Sequence, residues 1–289
     1  MGDEGIKGNL ISIVHYLADT IGERSYQRIE ELNKAADFIE ERFNSCKCIA
    51  ERQHFSYKGN TFFNIAAEVK GAGPSEEGIL VVGAHYDTVV ETPGADDNAS
   101  GVAGMLELAR LAQLRPFRKT TRFVAFTLEE PPFFMTARMG SHIYAGDLRR
   151  QGVRVSGMIS LEMLGYYSDH EGSQFFPIPF LKWFYPDIGN YIAFVGNMRS
   201  KAFTKKLKES FRRFSALPVE SLNAPSIVPG VDFSDHRSFW KFGFPALMIT
   251  DTAFYRNPNY HGMGDTPATI DYDRMESLVI GLSKALRDL

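Results

Sequence analysis

Between residues 61 and 161 the chain switches repeatedly between two periodicities. Short β-rich runs at 61–69 (TFFNIAAEV), 79–84 (ILVVGA), 121–128 (TRFVAFTL) and 155–161 (VSGMISL) are separated by helical patterns at 101–114 (GVAGMLELARLAQL) and near 140–151. Short strands joined through amphipathic helices need a sheet covered on both faces. The alternation therefore predicts an α/β domain, a three-layer α/β/α sandwich around a mixed, mostly parallel sheet. Further helices are expected at 25–45, near 200–214 and at 273–288, with a strand at 245–250. Without an internal repeat or low-complexity linker, residues 1–289 read as one domain.

One stretch breaks this rhythm. Residues 165–197 are crowded with aromatics and interrupted by Pro177, Pro179 and Pro186, which excludes a long regular element. This aromatic-rich insertion reads either as a packed surface excursion or as a lid or wall of a substrate pocket.

Composition excludes several classes of function. A formal net charge of -3 leaves no basic field for a phosphate backbone, so no nucleic-acid partner is expected. Cys46 and Cys48 stand too close in sequence to staple a fold and lack the partners of a zinc knuckle, in keeping with a reducing compartment. No apolar run approaches a membrane span, and the amino terminus carries acidic residues where a signal peptide needs basic ones. A cytoplasmic location without membrane association is the expectation.

In open α/β sheets the working groups gather beyond the carboxyl ends of the strands. His85 and Asp87 end one predicted strand, Glu129 and Glu130 end another, Glu162 ends a third, and His261 follows the strand at 245–250. Each alone has an ordinary explanation as a cap, a hydrogen-bonded histidine or a wet surface pair. Together they offer imidazole nitrogen and carboxylate oxygen without thiolate, which suits zinc or a similar divalent ion. Successive side chains at a strand end point to opposite sides, so Glu129 and Glu130 could divide the work of general base and ligand. Asp87 could accept the distal N–H of His85 and fix its tautomer.

The stretch 94-GADDNASG-101 fits the same chemistry. Asp97 has oxygens on both sides of its carboxylate and could bridge two ions roughly 3.5–4 Å apart. Gly94, Ala95 and Ala99 would let the backbone approach, Asn98 or Ser100 would cap the following helix, and Asp96 reads as a turn or supporting residue.

The segments 83-GAHYDT-88, 94-GADDNASG-101, 128-LEE-130, 161-LEMLG-165, 234-SDHRSFWKFGFPA-246 and 260-YHGMGDT-266 resemble, in order, the motifs of the co-catalytic zinc aminopeptidases of peptidase family M28. The resemblance implies the zinc-exopeptidase (phosphorylase/hydrolase-like) fold and two zinc ions per chain. It assigns His85 and Glu162 to one zinc, Glu130 and His261 to the other, and Asp97 to both. Glu129 would be the general base, Asp87 the orienter of His85, and Asp235 a supporting or substrate-orienting residue. The substrate would be a peptide with a free amino terminus. Two departures stand out: Glu162 replaces the family's more frequent Asp, and 129-EEPPFFMTARMGS-141 replaces the shorter EExGLxGS. They point to a reshaped pocket. Two other functions share this scaffold: a glutaminyl-cyclase-like zinc acyltransferase and a metal-free, receptor-like binding protein.

Overall fold

The computed structural model describes residues 5–289. The elements run α1 (Ile6–His15), α2 (Ile29–Ser45), β1 (Ala50–Tyr57), β2 (Asn60–Val69), β3 (Ile79–His85), α3 (Gly101–Leu114), β4 (Thr121–Phe126), α4 (Gly140–Arg150) and β5 (Val155–Glu162). Then follow β6 (Ile192–Gly196), α5 (Lys201–Phe214), β7 (Val219–Asn223), α6 (His236–Lys241), β8 (Ala246–Thr250) and α7 (Tyr272–Asp288). The eight strands form one mixed sheet in the order β1-β2-β4-β3-β5-β8-β6-β7. Its centre, β4-β3-β5-β8, is parallel, as is β6 with β7. The pairs β1/β2, β2/β4 and β6/β8 are antiparallel.

Strand alternation sorts the core into layers. Leu80, Val82 and Ala84 of β3 join the large core beneath α1, α2, α3, α5 and α7, whereas Val81 faces the smaller core under α4 and α6. The innermost helix is α3. Leu108 and Ala109 are as buried as Val102 and Met105, and buried Glu107 is neutralised by Arg110 at 2.9 Å. Its first residue cannot carry a side chain: a Cβ at Gly101 would come within 2.5 Å of the Leu161 carbonyl.

The segment 165–197 needs correction. Its last part is β6, a sheet strand whose Ile192 and Phe194 enter the main core, so the irregular excursion ends before residue 192. Three prolines sit upstream of that run and leave IAFVG free to pair. Among the described residues, no helix is long and apolar enough to cross a membrane.

Candidate metal centre and active site

The four central strands deliver the site, because their carboxyl ends lie side by side. His85 is the last residue of β3 and Glu162 the last of β5, its neighbour. Glu129 and Glu130 follow β4, and His261 follows β8. Asp97 reaches the same point from the kinked turn Ala95–Ser100, whose Asp97–Asn98 peptide is cis. Asn98 ties that turn to the sheet: Oδ1 accepts the N–H groups of Gly101 (3.1 Å) and Met163 (3.0 Å), and Nδ2 donates to Leu161 O (2.9 Å). The hydroxyl of Ser100 donates to Asp96 O and accepts from Leu164 N, so the helix-capping contact falls to Asn98.

At the centre, Asp97 lies between two imidazoles. Its Oδ1 stands 3.3 Å from His85 Nε2 and its Oδ2 3.2 Å from His261 Nε2. Glu162 Oε1 completes the His85 side at 3.3 Å, and Glu130 Oε2 the His261 side at 3.4 Å. His85, Asp97 and Glu130 each present a ligand atom within 4.8 Å of the others. The structure thus gathers all five residues expected to bind metal, with the Asp97 carboxylate between the His85 and His261 groups.

The supporting contacts differ in part from the expectation. β4 ends at Phe126 and Leu128 turns into the left-handed region (φ 58°), so Glu129 and Glu130 lie beyond the strand and both line the cleft. The alternation of strand side chains does not apply to them. Asp87 turns its carboxylate mainly to this turn, accepting Glu129 N at 3.2 Å and Glu130 N at 3.1 Å. His85 Nδ1 is nearer the Asp87 carbonyl (3.1 Å) than its carboxylate (3.7 Å). Asp87 therefore fixes the two glutamates by their backbone as well as the histidine ring.

Electrostatics follow from burial. Burial pushes the Glu130 carboxyl up to about 8, and the charge of Asp97 adds to it. Glu129 is raised well above the usual carboxylate range, first by burial and then by Glu130, with His85 opposing; its Oε1 has no hydrogen-bond partner. Burial works against a charge on His261, but hydrogen bonds to Asp97 and Glu130 outweigh it and carry the ring up to about 10. Asp97 is held below its ordinary value because the two histidines outweigh its burial. Such a cluster of buried acids around two imidazoles fits dications.

Several residues at the site gave no sequence signal or a weak one. Asp265, inside the quoted YHGMGDT, accepts the N–H groups of Asp96 (2.8 Å) and Asp97 (3.0 Å) and so sets the angle of the shared carboxylate. Ser234 donates to Glu162 Oε2 at 2.6 Å and meets Ser160 Oγ at 2.8 Å, steadying the longer side chain. Asp235 is fully buried, and neither of its oxygens has a hydrogen-bond partner. Burial pushes it up to about 7. Arg24 is also fully buried; its guanidinium donates to the carbonyls of Leu17, Gly22, Tyr86, Pro93 and Gly94, pinning the loop between β3 and the kinked turn.

The sequence profile of Peptidase family M28 matches residues 64–284. The chain belongs to peptidase family M28. It is 42% identical over 277 residues to the "Uncharacterized protein YfbL" of Escherichia coli (strain K12), covering 93% of this chain and 84% of that protein. It is 28% identical over 226 residues to a "Probable leucine aminopeptidase" of Trichophyton verrucosum (strain HKI 0517), covering 73% of this chain and 53% of that protein. The chain thus spans about half of the fungal relative. The solved zinc aminopeptidase BSAP from Bacillus subtilis has the same fold, with a TM-score of 0.75 at 16% identity over 98% of this chain and 94% of that one. The glutaminyl cyclase of Fimbriiglobus ruber shares it equally, with a TM-score of 0.74 at 18% identity over 98% and 95%. The family match places this chain among the M28 peptidases.

Proposed function

We propose that this M28 peptidase is an aminopeptidase that releases the first residue of peptides with a free amino terminus. The observation that carries the proposal is Asp97 set between His85 and His261 at 3.3 and 3.2 Å, each imidazole joined by one further carboxylate. In this reading His85, Glu162 and Asp97 hold one zinc, and His261, Glu130 and Asp97 hold a second. Zinc bound there would supply Lewis-acid activation of a water and of the scissile carbonyl.

The remaining work falls to the chain. Glu129 takes a proton from the attacking water as its oxygen bonds to the carbonyl carbon, and returns that proton to the nitrogen as the C–N bond breaks. Burial suits it to hold the proton between the two steps. Asp87 keeps Glu129 and Glu130 on station through their backbone N–H groups. A cytoplasmic setting accords with the free thiols of Cys46 and Cys48.

The test is a zinc-loaded digest of mixed peptides, half of them amino-terminally acetylated, read by mass spectrometry. Single-residue losses from free amino termini only are expected. Glu129→Gln should retain its zinc and lose turnover by roughly 10²–10⁴-fold. An undiminished rate in that variant overturns the assignment of the base. Loss of ammonia from Gln-leading peptides without trimming would replace the proposal with cyclase chemistry.

A further inference from the structure

Two cavities meet at the site. The cleft at the metal centre and an apolar cavity share Glu162, Phe233, Phe254 and Tyr260 as a common wall. The apolar cavity lies over the sheet face bearing Ala193, Val195 and Met248. Its roof is the excursion, which turns Phe176, Leu181 and Tyr185 inward and leaves Trp183 and Phe184 exposed.

What holds this roof down is a small set of contacts centred on one side chain. Gln174 is buried at 5% exposure. Its Nε2 donates to Thr252 Oγ1 (2.9 Å) and to Phe175 O (2.8 Å), while its Oε1 accepts from Arg256 Nε (2.9 Å) and Thr252 Oγ1 (3.2 Å). Beside it, Phe175 N donates to Tyr255 O at 2.8 Å. At the far end, Tyr185 Oη donates to Ser221 O at 2.9 Å and anchors the roof on β7. The other partner of the clasp is a strained loop: Thr252 and Ala253 have φ of 88° and 50°, a region L-residues with a Cβ rarely enter. Strain of this kind persists only where surrounding contacts impose it. The same loop leads directly to Phe254, Tyr260 and His261.

We propose that Gln174 is a positioning residue for substrate selection. By clasping the excursion to the 252–256 loop, it keeps open an apolar cavity that accepts the first side chain of the substrate, and so sets a preference for bulky aromatic residues there. This rests on the aminopeptidase reading above. Adjacency to the metal cleft points to the occupant: a peptide whose scissile carbonyl lies at the metal centre has its first side chain beside Glu162, Phe233, Phe254 and Tyr260, the residues that line both cavities. A cavity lined by aromatic and aliphatic groups rewards large apolar surface and leaves a small side chain unsupported.

The test uses zinc-loaded Glu129→Gln protein, in which turnover should be slow, titrated calorimetrically with tryptophanamide, phenylalaninamide and alaninamide and with their acetylated forms. The aromatic amides should bind at least about tenfold more tightly than alaninamide. Adding Gln174→Ala should bring that ratio below about threefold while zinc content stays the same. Gln174→Glu, which keeps the acceptor for Arg256 and Thr252, should restore part of it and carries the test if the alanine variant does not fold. An unselective parent protein, or a ratio that survives Gln174→Ala, overturns the proposal. So does a variant that loses only thermal stability, since a merely structural contact predicts that result. Equal binding of acetylated amides would instead refute recognition of a free amino terminus, with the aromatic ratio still reporting on the clasp.

Discussion

Glu162 shows how a single methylene is absorbed. An aspartate at the end of β5 would reach less far; the longer side chain needs a second hold, which Ser234 supplies through Oε2 while Oε1 faces His85. Removing that hydroxyl should leave the ligand in place but loose. Ser234→Ala is expected to weaken zinc binding by about 10–100-fold, the usual effect of losing a group that orients a ligand, measured by competition with a chromophoric chelator. Two residues further on, His236 is fully buried, with Nε2 donating to Val231 O at 2.8 Å and Nδ1 unpartnered. Burial lowers its pKa to about 4. The folded state therefore refuses a proton that the unfolded chain accepts below about 6.5, so stability is full above that pH and drains away as pH falls toward 4. Urea melts at pH 7 and 4.5 should show wild type losing about 2 kcal/mol more than His236→Gln over that interval.

Among elements, the well-read ones were those with a full period to display. The expected helix 101–114 coincides with α3, and the strands expected at 61–69, 79–84, 121–128 and 155–161 fall on β2 to β5 within two residues of their observed ends. β1, β6 and β7 went unread. β1 carries charged and polar residues along a sheet edge, and its neighbour covers only one side of its backbone. β6 lies inside the aromatic run read as an irregular excursion, and β7, VESLN, offers only two apolar residues as a signal. The turns at the strand ends were harder still. A left-handed Leu128 or a kink at Asp97 is held by contacts from elsewhere in the fold, notably Asp87, Asp265 and the Leu161 and Met163 backbone that Asn98 binds, and none of these is local in sequence. The join between β5 and α3 depends on Asn98. Its three buried hydrogen bonds lead us to expect a loss of roughly 2–4 kcal/mol for Asn98→Ala, measured by denaturant unfolding of the metal-free protein.

Across the molecule, the cluster of His85, Asp97, Glu130, Glu162 and His261 was legible because its members sit in recognisable short motifs, and the sheet order then brings those motifs to one edge. Its supports were not legible. Arg24 lies in GERSYQ, where a cation looks like any surface residue until the fold closes five backbone carbonyls around it, and Gln174 looks equally ordinary in a loop of aromatics. Long-range supports of this kind are chosen by the tertiary structure. The buried acids have one more consequence. In the metal-free molecule burial favours the protonated form of the Glu130 carboxyl, while the hydrogen bonds of Asp97 and Glu130 favour the charged form of the His261 ring. A hydrogen ion held by this pair must leave before either side chain can serve as a ligand, so loading exchanges hydrogen ions for metal. Apparent affinity should then climb about tenfold per pH unit for each ion released, and a weakly buffered solution of the apoprotein should acidify when zinc is added, giving a count of the exchange that needs no substrate.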